Sequence, residues 1–143
     1  MNKTTPALRK IAKRLILFEW PSVASSASAA ASEDPVIERL RPRLRRLMGH
    51  GGTRALLARA LIMASSEAPW LSAAFVTANG DLEGFERLKS EIAPTTFLEG
   101  RVIFLAQLLG LLVTFIGPTL TSGLVGEIWP HIALKERDFG TEQ

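Results

Sequence analysis

Seven arginines crowd one short stretch: Arg39, Arg41, Arg43, Arg45, Arg46, Arg54 and Arg59, with no acidic residue between Leu40 and Arg59. A guanidinium grips phosphates and carboxylates through paired hydrogen bonds, so the run predicts a polar contact surface. Arg39, Arg43 and Arg46 would lie on one helix flank, Arg41 and Arg45 on the other. Three environments fit such a cluster: a solvated face balanced by Glu83, Glu86, Glu91 or Glu99, an acidic protein partner, or nucleic acid. The segment has no aromatic or amide side chains with which to read bases, which ranks nucleic acid last.

The same stretch holds Gly49-His50-Gly51-Gly52-Thr53-Arg54. A glycine-rich turn running into a helix leaves backbone N–H groups free, and with Arg54 beside them His50, Gly51 and Gly52 could face an anion. The spacing is not that of a nucleotide-hydrolase phosphate loop. Glycines between two helices also serve backbone geometry alone.

Catalytic chemistry finds little support. Asp34, Asp81, Glu99, Glu127, His50 and His131 are the ionisable groups to consider, and none forms a recognised metalloprotease, hydrolase or paired-carboxylate spacing. The chain has no Cys and no Tyr. This removes thiolate catalysis and Cys-based metal centres, and two His alone argue against a protein-only transition-metal site. The expectation is a protein that is not an enzyme, with no cofactor.

These residues must be carried by helices. The dominant element is Val102–Ile116, VIFLAQLLGLLVTFI, which has no charge. Fifteen helical residues reach roughly 22 Å, short of the ~30 Å hydrocarbon layer of a bilayer. The uncharged window extends to Gly126 only across Gly117-Pro118, which should end or kink the helix. The run is therefore expected to be the buried central helix of a bundle, the alternative being insertion of residues 102–126 into a membrane. Ala106, Gly110 and Thr114, with Gln107 beside them, form a small stripe that predicts a closely packed neighbour.

Around it, Pro6–Phe18 reads as an amphipathic helix: Leu8, Ile11, Leu15 and Phe18 share one face, and Arg9, Lys10 and Lys13 the other. Such an arm folds back on the body, docks on an acidic partner or anionic membrane, or acts as a targeting peptide. Its contact residues would be Leu8, Ile11 and Leu15, with Lys10 and Lys13. Ser22–Ser32 is an Ala/Ser linker expected to be mobile. Asp34-Pro35 starts a body helix, bent or split at Pro42 and stopped at Gly49. Thr53 caps a second one running to about Ser66, largely buried. Trp70–Ala78 is a strand or connector, followed by a turn at Asn79-Gly80-Asp81 and a helix from about Leu82 to Ile92. A last helix covers Thr119–Trp129, and Lys135–Gln143 is a polar tail.

The motifs RALLARALIMA…PWLSA at 54–73 and AQLLGLLVTFIGPTLT at 106–121 resemble those of a group of small bacterial helical proteins. The resemblance spans roughly residues 34–130. It implies an independent helical domain and carries no activity to transfer.

The charge supports a division of the chain. Of the net +3, residues 1–31 contribute +4 (five Lys/Arg, one Glu), and residues 32–143 contribute −1 (twelve Lys/Arg, thirteen Asp/Glu). We therefore expect a mainly all-α single-domain bundle, with one short β-hairpin near 71–85. Residues 1–20 are a basic arm, 21–33 a linker, 34–133 the helical domain and 134–143 the tail. The expected role is a non-catalytic interaction or regulatory module, cytoplasmic or membrane-associated, with an unidentified and acidic protein partner or a peripheral membrane contact. The alternatives are membrane insertion of 102–126 and nucleic-acid binding through Arg39–Arg59.

Overall fold

In the computed structural model, residues 6–25 and 35–132 are described, with side chains at 6–17 and 35–132. The order of elements is α1 (Pro6–Ser25), α2 (Pro35–Ser65), a 3-10 turn (Pro69–Ala73), β1 (Phe75–Val76), β2 (Leu82–Glu83), α3 (Phe85–Glu91), α4 (Pro94–Ile116) and α5 (Pro118–Ile128). The fold is mainly α-helical, and its two strands form one antiparallel pair with Phe75 opposite Glu83 and Val76 opposite Leu82. Thr77 and Asp81 close the hairpin: Asp81 O accepts from Thr77 N at 2.8 Å, and Asp81 N donates to Thr77 Oγ1 at 3.1 Å. The hairpin and α3 thus share the segment that the sequence divides between a strand and a helix.

α4 is the axis of the fold. Every residue from Gly100 to Leu109 is buried, and so is Leu112. Packing against α2, α1, α5 and α3 removes this helix from water, each fully buried Leu contributing ~2 kcal/mol. By length and composition α4 is also the one described helix able to cross a membrane, with mean hydropathy 1.7, but most of that window is buried by the chain itself. Pro94 and Pro118 occupy first-turn positions, where a missing N–H costs no helical hydrogen bond, so α4 and α5 begin where the prolines stand.

α1 supplies the close neighbour that the small stripe requires. A Cβ on Gly110 would lie 3.2 Å from Leu8 Cδ1. Ile11, Ala12, Leu15 and Ile16 are buried in the same core. This corrects the reading of Leu8, Ile11 and Leu15 as an arm surface open to a partner: the apolar face of α1 is already covered by α4. Lys10 and Lys13 remain exposed. α1 also continues to Ser25, so helix extends into the Ala/Ser stretch expected to be linker. The rest of that linker, 26–33, lies outside the described residues, as does the tail, 134–143.

Two expectations for α2 also change. Pro42 lies inside the helix, and the only non-helical dihedrals are at Gly49 (φ 76°, ψ 177°). The helix therefore tolerates the missing Pro42 N–H and breaks at Gly49, where the lack of a side chain permits the positive φ. Thr53 does not act as an N-cap; its buried hydroxyl donates to the Gly49 carbonyl at 2.7 Å, a bond one helical turn back across the kink.

At the other end of the bundle Trp70 lies flat against α4. Its ring stacks on Phe97 at 5.8 Å, and Phe85 meets both Phe97 and Phe104 edge-on at 6.1 and 5.9 Å. Gly100 makes this approach feasible, because a Cβ there would fall 2.2 Å from Trp70 Cζ2. Gly100→Ala should therefore lower the unfolding free energy by about 1–3 kcal/mol despite the better helix propensity of Ala. Urea denaturation followed by far-ultraviolet circular dichroism checks this, and an unchanged midpoint would contradict the packing.

Candidate interaction surface

The arginines of α2 divide by position. Arg39 Nη2 donates to the Ile128 carbonyl at 2.7 Å, and its guanidinium lies 5.7 Å from the centre of the Trp129 ring. Arg43 pairs with Glu127 of α5. A cation at the last carbonyls of a helix satisfies their lone pairs and opposes the negative end of the helix dipole. These two arginines therefore fasten α2 to the C-terminus of α5. Arg41 is only 4% exposed and pairs with Glu38, while its Nε and Nη2 have no hydrogen-bond partner among the described residues. Arg45 Nη2 donates to the Asn79 carbonyl of the hairpin turn at 3.2 Å.

The face predicted from Arg39, Arg43 and Arg46 is accordingly not one open surface. Arg39 and Arg43 serve internal contacts, and of the three Arg46 alone makes no contact of that kind among the described residues. Among the described residues these arginines meet Glu127, Glu38 and two backbone carbonyls, not the expected Glu83, Glu86, Glu91 or Glu99. Sequence spacing places charges on a helix face but cannot say which other helix crosses that face.

Past the kink the helix carries a second basic group. His50, Arg54 and Arg59 are exposed there, and Arg46 is exposed just before Gly49. Beyond Gly49, a period of 3.6 residues puts Gly51, Arg54, Ala55, Ala58, Arg59 and Ile62 within about 140° of arc, with the arginines at its two edges. Ile62 stands 70% exposed between them, and Leu47 is also exposed just before the kink. The opposite side, Leu57, Ala60, Leu61 and Ala64, is buried in the core. So this half of α2 is not the largely covered helix expected from its composition.

The glycine-rich turn is smaller than predicted. His50, Gly51 and Gly52 are helical, and the chain changes direction at Gly49 alone. No open glycine loop exists there to cradle an anion, although His50 and Arg54 are exposed nearby. Among the described residues no three His, Asp or Glu side chains are grouped to hold a metal ion.

One polar site was missed by the sequence reading. Glu67, just past the end of α2, has a side chain 6% exposed. Its Oε1 accepts from Arg9 Nη2 at 2.5 Å and its Oε2 from Gln107 Nε2 at 2.8 Å. It thus joins α1, α2 and α4 through one carboxylate. The available signal was Gln107 itself, an amide within the uncharged run Val102–Ile116, which when buried needs a partner.

Comparison with known proteins gives no matching family model, no matching curated protein and no matching solved structure.

Glu67→Ala leaves the Gln107 amide without this acceptor and removes the carboxylate from Arg9. It should destabilise the fold by about 2 kcal/mol. Arg9→Ala, whose side chain is nearly half exposed, should cost less, about 0.5–1 kcal/mol. Chemical denaturation of the two variants checks the order, and an equal or reversed ranking would contradict this account.

Proposed function

We propose that the chain is a non-catalytic interaction module that offers the outward face of α2 beyond Gly49 to an acidic protein partner. The observation that carries this reading is the exposed group His50, Arg54, Arg59 and Ile62, continued before the kink by Arg46 and Leu47. An apolar side chain flanked by cations suits a partner segment with acidic residues around an apolar anchor. A nucleic-acid backbone offers nothing to Ile62 or Leu47, and the face has no aromatic or amide for bases. Arginine at the rim steers encounter and fixes register, while the apolar centre resists dissociation.

A second reading is favoured by the corner between α4 and α5. Phe115 and Leu120 are 67% and 64% exposed, within a segment uncharged from Val102 to Gly126. Such a corner supports attachment to a membrane at this end of the bundle, without the core leaving its place.

Two experiments test these readings. Proteins captured from the host by the full chain should be lost with Arg54→Glu/Arg59→Glu and retained with Lys10→Glu/Lys13→Glu. Capture of the same proteins by the α2 variant would overturn the first reading, as would tighter binding to duplex DNA than to acidic peptides in fluorescence anisotropy. For the second, co-sedimentation with phospholipid vesicles should fall with Phe115→Ser/Leu120→Ser. No sedimentation of the unsubstituted chain would rule it out.

A further inference from the structure

A cleft of about 510 Å³ opens where α2 ends and α4 begins, with Arg9 of α1 on its edge. Its polar lining comes from Arg9, Ser66, Glu67, Thr96 and Glu99, and its aromatic wall from Trp70. The volume lies within the range of small-molecule sites. We propose that this cleft binds a small organic cation, a primary amine or guanidinium, with Glu99 and Trp70 as its main contacts.

The chemistry of the lining is weighted towards acceptors. Two carboxylates face one guanidinium, and that guanidinium is already bonded to Glu67 at 2.5 Å. Ser66 Oγ donates its proton to the Met63 carbonyl at 2.7 Å, so toward a ligand it can only accept. The C-terminal end of α2 at Ser66 and Glu67 adds the negative pole of a helix. The positive pole of α4 reaches the opposite wall at Thr96, where Glu99, one turn on, opposes it. A ligand rich in N–H donors and positive charge matches this set, and an anion meets Glu67 and Glu99.

The aromatic wall is fixed in advance. Trp70 packs onto Phe97 and the backbone at Gly100, one turn apart on α4, so its ring needs no ordering when a ligand arrives. A cation over an indole face is attracted by the ring quadrupole, and more strongly where water is partly excluded. Glu67 contributes field without direct contact, since its oxygens hold Arg9 and Gln107. Glu99 is exposed and makes no ion pair among the described residues, which leaves its carboxylate available to the ligand head.

The test is a titration of the full chain, labelled with nitrogen-15, with agmatine and with spermidine at low salt, following the Trp70 indole N–H resonance assigned through Trp70→Phe. Glutarate and butyramide serve as anionic and neutral controls. The expected result is a saturable shift with at least one cation, none with the controls, and binding about tenfold weaker in Glu99→Gln. Glu99 lies on the surface, so that variant keeps the fold, which its spectrum verifies. The proposal is overturned if neither cation gives a saturable shift at millimolar concentration, if glutarate or butyramide binds as well, or if Glu99→Gln binds the cation unchanged.

Discussion

The structure depends on keeping the middle of α4 away from water. Gly100–Leu109 has no exposed residue although it includes Arg101 and Gln107, and a helix with so little polar surface is stable only when its neighbours cover it. The body alone does not complete that cover. α1 closes one side, laying Ile11, Ala12, Leu15 and Ile16 into the common core. What looks in composition like a detachable basic arm is therefore part of the packing, and its lysines face outward because its apolar residues face inward.

Polar contacts then fix how the layers sit on that axis. Glu67 joins three helices through two hydrogen bonds, and Arg39 with Arg43 ties the start of α2 to the end of α5. Hydrophobic burial is non-directional and would tolerate sliding of one helix along another. A buried carboxylate with two fixed donors, or a guanidinium on a terminal carbonyl, does not tolerate it, because displacement leaves a polar group unpaired. The arginines of α2 thus serve two ends: those before Gly49 largely hold the bundle together, while those past it face outward.

Much of the fold was legible because it rests on local rules. The apolar run of α4, the proline start of α2 and the stop at Ile116 before Gly117-Pro118 follow from hydrophobic period and backbone restriction. The turn at Asn79-Gly80-Asp81 was legible for the same reason. The stripe at Ala106 and Gly110 announced a close neighbour but not its identity. The surface was harder to read, since whether Arg43 meets solvent or Glu127 depends on a helix more than eighty residues away. Glu67 escaped notice for the same reason: nothing near it in sequence signals burial, and its partners lie in α1 and α4. Pro42 misled in the opposite sense, because a local penalty for helix breaking was outweighed by the burial of Val36, Ile37, Leu40 and Leu44 on the same helix.

The break at Gly49 has a geometric consequence. With φ at 76° and ψ at 177°, one peptide sets the bearing of everything that follows it in α2. The outward arginines and Ile62 are rigidly carried by that distal segment, so their aim relative to the α5 anchor is governed by two torsion angles. The glycine at this one position lets the ridge face outward while Leu57, Ala60, Leu61 and Ala64 on its other side stay in the core.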